Sequence, residues 1–202
     1  NNMQWFKVPP KIYFEKNSIK YLEEAPDLKN AFIVTDKSMA KLGMLEKVTN
    51  LLNGLNLNYK VFDNVLPDPD VKTVFSGLKI MKEFDPSTII ALGGGSVIDC
   101  AKCIWLFNDV KDEDMDFEKF RLRFMDIRKR IIDFPNIHKK IKFIAIPTTS
   151  GTGSEVTSFS VITDKSGKEE IKYPLADYSL TPDVAIIDSE FVKTLPKSAV
   201  AD

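Results

Sequence analysis

An α/β domain with a mainly parallel sheet is predicted by three features of this sequence. Strand-like and helix-like segments alternate along most of its 202 residues. The strand-like segments are short and apolar, as buried strands are. Two of them run straight into loops suited to binding, one at Gly93-Gly94-Gly95 and one at Thr148-Thr149-Ser150-Gly151-Thr152-Gly153-Ser154.

In chain order, residues 11–15 (KIYFE) read as a short strand and 30–35 (NAFIVT) as a stronger, buried one. Residues 37–55 have helical spacing, with Met44, Leu45, Val48, Leu51 and Leu52 on one face. A strand follows at 58–62 (NYKVF). Pro67-Asp68-Pro69-Asp70 then forms a rigid turn and starts a helix that runs to about Phe84. Residues 87–92 (STIIAL) form a buried strand ending on the three glycines, and a helix continues from Val97 to about Phe107. Residues 115–134 are a charged amphipathic stretch with helical character. Residues 142–147 (KFIAIP), 156–163 and 183–188 (DVAIID) are further strands, with a polar hairpin tip over 165–172 around Ser166-Gly167. No repeat, low-complexity linker or second domain is evident. Thr194 to Asp202 reads as the entry to another helix, so the chain is expected to be a fragment.

Composition narrows the function. Apolar residues make up 44% and charged residues 28%, enough to bury an ordinary core. With 28 basic against 29 acidic side chains, the net charge of −1 gives no field to draw the chain onto nucleic acid or an anionic membrane. No apolar run reaches the ~18–20 residues that span a bilayer, and residues 1–5 carry no signal pattern. Cys100 and Cys103, the two cysteines, imply no disulfide framework. The expected setting is the cytoplasm.

The chemistry concentrates in the two loops. Glycines after a buried strand let the backbone approach a phosphate, and the helix start that follows offers free N–H groups and a partial positive charge. Ser96 adds a hydroxyl. The alternative reading of the glycines is a tight turn that needs positive φ and binds nothing. The common dinucleotide fingerprint, G-x-G-x-x-G with an acid about 20 residues later, is absent. The best acid, Asp36, precedes the glycines, and capping the next helix suits it as well as a ribose does. The second loop has the composition either of a solvent loop or of a nucleotide-pocket wall. Two such loops at the carboxyl ends of strands mark the crevice where open α/β sheets bind ligands.

Other groups read as structural. Cys100-x-x-Cys103 lies inside a predicted helix, where packing is the default. His138, the single histidine, is too little for a zinc site or a Ser/His/Asp arrangement. The basic run Lys119, Arg121, Arg123, Arg128, Lys129 and Arg130, interleaved with Asp126 and Asp133, reads as a solvated or partner-facing helix surface.

GGGSVIDCAK and PTTSGTGSEVT, about 50 residues apart, together with AFIVTD and PDVAIIDSEFVKTLPKSAVA, resemble the iron-containing (group III) alcohol dehydrogenases. LRFMDIRKRI and KYPLADYSLTPD resemble the alcohol dehydrogenase half of the bifunctional aldehyde–alcohol dehydrogenases. The resemblance covers nearly the whole chain. It implies a Rossmann-like NAD-binding α/β domain, followed in the family by an all-helical domain that holds iron (Fe2+, or Zn2+) through one aspartate and three histidines. Those ligands would lie beyond Asp202, which is not itself taken as one.

By the same resemblance, Gly94, Gly95, Ser96 and Asp99 border the pyrophosphate. Thr148, Thr149 and Thr152 line the adenosine and phosphate side, and Thr157 belongs to the cofactor-binding set. Lys172 reaches a ribose, Asp68 and Phe191 flank the cofactor, and Asp36 accepts from the adenosine ribose 2′-OH and repels a 2′-phosphate, which favours NAD over NADP. No catalytic residue and no metal ligand is assigned to this chain. The implied activity is metal-assisted hydride transfer between acetaldehyde and ethanol, in a homo-oligomer or filament for which residues 117–134 offer a contact. The alternatives are a polyol dehydrogenase or sugar-phosphate cyclase on the same fold, or a non-catalytic nucleotide-binding or assembly module.

Overall fold

The computed structural model describes residues 9–129, 140–149, 153–157, 159–177 and 180–193. Its centre is a six-stranded sheet, all parallel: β1 (Lys11–Tyr13), β2 (Asn30–Val34), β3 (Asn58–Phe62), β4 (Thr88–Gly93), β5 (Lys142–Pro147) and β8 (Val184–Ile186), in the order β1-β8-β5-β4-β2-β3. Two further strands, β6 (Phe159–Asp164) and β7 (Ile171–Ala176), form a separate antiparallel hairpin. The expected Rossmann-like α/β architecture is present.

Side chains alternate along each strand, so each strand feeds two cores. On one face Phe32, Val34, Ile89, Ala91, Phe143 and Ala145 meet α3 (Val71–Phe84), α4 (Gly95–Leu106), α5 (Phe117–Arg128) and the hairpin. On the other, Ala31, Ile33, Ile90, Leu92, Ile144 and Ile146 meet α1 (Lys37–Lys41), α2 (Met44–Gly54), α6 (Ser189–Lys193) and a 3-10 turn at Ser18–Glu23. Burial on both faces is why these strands are continuous apolar runs rather than alternating ones.

The chain leaves β2 for the edge strand β3, then crosses back over β2 to β4, placing α1 and α2 on one face and α3 on the other. The winding direction therefore reverses between β2 and β4. Their carboxyl ends diverge there and leave a crevice.

Several boundaries differ from the sequence expectation. The helix expected over 37–55 is two, because Gly43 adopts φ +76 between α1 and α2. The helix after the proline turn starts at Val71, with Asp70 as its cap: the Asp70 carboxylate accepts from the Thr73 amide at 2.8 Å. Residues 154–157 form a turn rather than the start of a strand, so β6 begins at Phe159. The polar tip over 165–172 is shorter than expected, since Ile171 and Lys172 already pair with Asp164 and Thr163. Within the stretch 115–134, α5 spans Phe117–Arg128 behind an Asp116 cap; residues 130–134 lie outside the described residues, as does His138. The apolar face of α5 is used internally, with Phe120, Phe124 and Ile127 buried against α3 and β7. Its guanidinium groups fasten the hairpin: Arg128 stacks 4.4 Å from the Tyr173 ring centroid, and Arg121 Nε donates to Ser166 Oγ at 3.1 Å.

Candidate active site: the nucleotide crevice

Three strand ends meet at one edge of the sheet. Thr35, just past β2, donates its hydroxyl to the Leu92 carbonyl of β4 at 2.7 Å, and the Thr148 amide of β5 donates to the Gly93 carbonyl at 3.0 Å. These two bonds fix Asp36, the glycines and the hydroxyl loop relative to one another.

The glycines divide the labour. Gly93 has φ +155, and a Cβ there would lie 2.7 Å from Val97 Cγ2, so its role is conformational. Gly94 has φ −81, which any residue adopts, but a Cβ there would sit 3.4 Å from both Thr149 Cγ2 and Thr149 Oγ1. Gly94 therefore keeps open a cradle between the start of α4 and the β5 loop. No side chain caps α4, and Gly94, Gly95 and Ser96 are half-buried at its first turn. Their environment suits an anion that approaches free N–H groups at the positive end of a 12-residue helix.

Thr148 is buried and its hydroxyl has no protein partner. A buried hydroxyl without a partner is unfavourable by roughly 1–3 kcal/mol. At the rim of a crevice, a ligand oxygen removes that cost. The open cradle and the orphaned hydroxyl together fit a bound dinucleotide.

Of the two roles open to Asp36, the structure shows the helix cap. Its Oδ1 caps α1, accepting from the Met39 amide at 3.1 Å and the Ser38 hydroxyl at 2.5 Å. Its Oδ2 takes part in neither of these bonds, and the residue is half-buried just past β2. Asp68, in the loop after β3 with φ +53, pairs with Lys172 of β7 at 3.3 Å; both are well exposed, at 59% and 65%. The pair ties the hairpin to the loop after β3, and such an exposed pair contributes little to stability. Phe191, by contrast, is 1% exposed, packed in the core beside Ile33 and Leu92 with the Lys47 ammonium 5.7 Å from its ring centroid. Its ring presents no free face to the crevice. Thr152 lies outside the described residues.

A charged cluster lies behind the hydroxyl loop. Asp99 and Lys102 share one face of α4. The Asp99 carboxylate receives hydrogen bonds from the Val161 amide and the Ser154 hydroxyl, and its Oδ1 is left without a partner. Lys102, fully buried, donates from Nζ to the Thr157 carbonyl at 2.7 Å, with the Thr157 hydroxyl at 3.5 Å. The contact of Thr157 with this cluster is thus mainly through its backbone carbonyl. The Lys102 ammonium is lowered to about 8 by burial, opposed by the negative charges of Asp99 and Glu155. Neither Lys102 nor Glu155 was singled out in the sequence. The available signal was a lone lysine in an otherwise apolar helix, three residues after Asp99.

Burial raises the Asp99 carboxyl from 3.8 to about 6, more than the Val161 amide, the Lys102 ammonium and the Ser154 hydroxyl lower it. The folded chain thus holds this proton more tightly than the unfolded chain. The stability it contributes is complete below about 3.8 and is lost as the pH rises through about 6. Urea unfolding between about pH 4 and pH 7 should show the parent losing stability relative to Asp99→Asn as pH rises. A constant offset across the range would show that Asp99 titrates normally.

The cysteines pack as expected: Cys100 and Cys103 are free, fully buried and raised in pKa by burial, so neither is a ready thiolate. Among the described residues no group of three or more His, Cys, Asp and Glu could hold a metal ion. The residues described do not fit an iron site. No helix of the described residues is long and apolar enough to cross a membrane.

The sequence matches the iron-containing alcohol dehydrogenase family over residues 9–189. The chain belongs to that family. It is 53% identical to the aldehyde-alcohol dehydrogenase of Streptococcus pneumoniae over 100% of this chain and 23% of that protein. It is 43% identical to the NADPH-dependent butanol dehydrogenase of Clostridium saccharobutylicum, over 98% of this chain and 48% of that one. In structure it superposes on the sulfoacetaldehyde reductase of Bifidobacterium kashiwanohense, solved in complex with NAD+, with a TM-score of 0.80, 29% identity, and coverage of 98% of this chain and 50% of that one. The chain thus spans from under a quarter to about half of these family members.

Proposed function

We propose that this chain is the NAD-binding part of a longer alcohol dehydrogenase that interconverts acetaldehyde and ethanol. The observation that carries this reading is the cradle between Gly94 and Thr149, with the buried Thr148 hydroxyl beside it and Asp36 at the neighbouring strand end. In this arrangement the first-turn amides of α4 receive the pyrophosphate, the Thr148 and Thr149 hydroxyls fix its orientation, and Asp36 Oδ2 accepts from the adenosine ribose. NAD, when bound, supplies the hydride acceptor at nicotinamide C4. The choice of ethanol rests on likeness to the aldehyde-alcohol dehydrogenases, and a cytoplasmic, homo-oligomeric enzyme is part of the same proposal. Lys172 and Asp68 close the mouth of the crevice, within reach of a bound nucleotide. The iron of the family requires ligands beyond those described, so no step of the reaction is assigned to it. The direct test is titration with NADH followed by nucleotide fluorescence. Absence of saturable binding would remove the reading.

The preference between the two nicotinamide dinucleotides is a sharper test, since one relative is NADPH-dependent. A carboxylate facing a 2′-phosphate adds like-charge repulsion. NADH should therefore bind more tightly than NADPH, by roughly tenfold or more, and Asp36→Gly should narrow the gap. Because glycine is itself tolerated at a helix N-cap, losing the Asp36 side chain should destabilise the variant by only about 0.3 kcal/mol. Equal affinities in the unmutated protein would remove Asp36 from the site.

A further inference from the structure

Among the described residues, Lys102 is the one charged side chain fully buried in the middle of a helix, with Cys100, Ala101, Cys103, Ile104 and Trp105 around it buried as well. An apolar residue would fill this position without the cost of taking an ammonium out of water. Packing alone therefore does not account for a lysine here. What the ammonium does is specific. It crosses from α4 to the turn at 154–157 and donates to the Thr157 carbonyl. Asp99, one helical turn earlier on the same face, accepts from the Ser154 hydroxyl at the other end of that turn. Within the turn the Val156 amide donates to the Gly153 carbonyl at 3.0 Å, and Gly153 takes φ +68 at its start. The two charges of α4 thus hold both ends of the turn.

The position of this clamp matters because of what lies at either end. The amino end of α4 is the anion cradle, and the turn continues the hydroxyl loop that begins at Thr148 and Thr149. We propose that Lys102 is a positioning residue for nucleotide binding: its bond to the Thr157 carbonyl locks the hydroxyl-loop wall of the crevice to the helix whose first turn receives the phosphates. This rests on the nucleotide reading of the crevice given above. Lys102 touches no nucleotide atom, and its effect passes through residues 153–157. A bond from an ammonium to a carbonyl is charge-assisted and is made in a buried site, so the turn is held more firmly than a neutral donor would hold it.

The test uses the intact protein and NADH as the probe. Lys102→Met keeps the length and removes the donor; Lys102→Arg keeps a charged donor of similar reach. Ser160→Ala removes a different bond across the same α4–β6 contact, from the Ser160 hydroxyl to the Asp99 carbonyl at 2.9 Å. The expected result is a roughly tenfold or greater rise in the NADH dissociation constant for Lys102→Met, the scale of one buried charge-assisted hydrogen bond. Lys102→Arg should recover most of the loss, and Ser160→Ala should bind NADH as the parent does. Amide exchange at 153–157 should accelerate in Lys102→Met and not in Ser160→Ala. A folded Lys102→Met with parental affinity overturns the proposal. So does equal loss in Ser160→Ala, which would mean general loosening, and so does failure of Lys102→Met to fold, which would make Lys102 a stability residue. If the parent itself fails to bind NADH, the nucleotide reading fails first, and the two failures are told apart.

Discussion

Gly94→Val should abolish NADH binding while leaving the fold in place. The expected loss is about 100-fold or more in affinity, equivalent to about 2.7 kcal/mol. The backbone at Gly94 has φ −81, so valine there meets no conformational strain. Its Cβ would already be in van der Waals contact with Thr149, at 3.4 Å from two side-chain atoms. The branched methyl groups must then project into the cradle that a phosphate enters. Gly93→Ala provides the contrast. There φ is +155 and the added Cβ would lie 2.7 Å from Val97 Cγ2 and 2.9 Å from Val97 Cβ, so the damage falls on folding. Circular dichroism and thermal melting on both variants, beside NADH titration, separate the two roles. Global unfolding of Gly94→Val would make that glycine structural and remove it from the site.

The contrast between these neighbours shows what a sequence can and cannot disclose. Three glycines after an apolar run identify a strand-to-helix junction, and β5 is legible to the residue because an apolar run delimits it, whereas the edge strand β3 is legible from alternating burial along Asn58–Phe62. Which glycine needs positive φ and which needs space depends on where Val97 and Thr149 point, and that is set by packing. The break between α1 and α2 escaped notice because Leu42-Gly43 interrupts a periodic apolar face that continues beyond it, and tertiary context decides whether such a glycine bends a helix or ends it. The return strand β7 was hidden by its charge: Glu169, Glu170 and Lys172 mark a polar tip, while its pairing with β6 is a long-range fact. Phe191 is a different case. Its position at the carboxyl edge of the sheet agrees with a cofactor-flanking role, but its ring turns into the core beneath α2. Lys102 was overlooked because a buried charge is recognised by its partners, and the Thr157 carbonyl that receives it comes from a turn 55 residues away.

The largest effect is expected from the chain itself. Expressed as these 202 residues and supplied with iron(II) or zinc(II), it should oxidise ethanol with NAD at a rate at least about a thousandfold below that of a complete family member, on the scale of removing a group that stabilises developing charge. By resemblance, the family's metal is held by one aspartate and three histidines. The sequence contains one histidine. The thiols are buried and protonated. The better-placed carboxylates already have work: Asp36, Asp70 and Asp116 cap helices, Asp164 pairs with Arg121 at 3.8 Å, and Asp188 accepts from the Ile19 and Glu190 amides. Diverting any of them to a metal would uncap an element, and no three such groups converge among the described residues. The nucleotide crevice does not depend on these groups apart from Asp36, so NADH binding should survive in the same preparation. That pairing makes the result decisive: binding without turnover assigns cofactor capture to this chain and the catalytic step to residues outside it. Metal-stimulated turnover approaching that of a complete enzyme would refute this assignment and would place the catalytic groups inside these 202 residues.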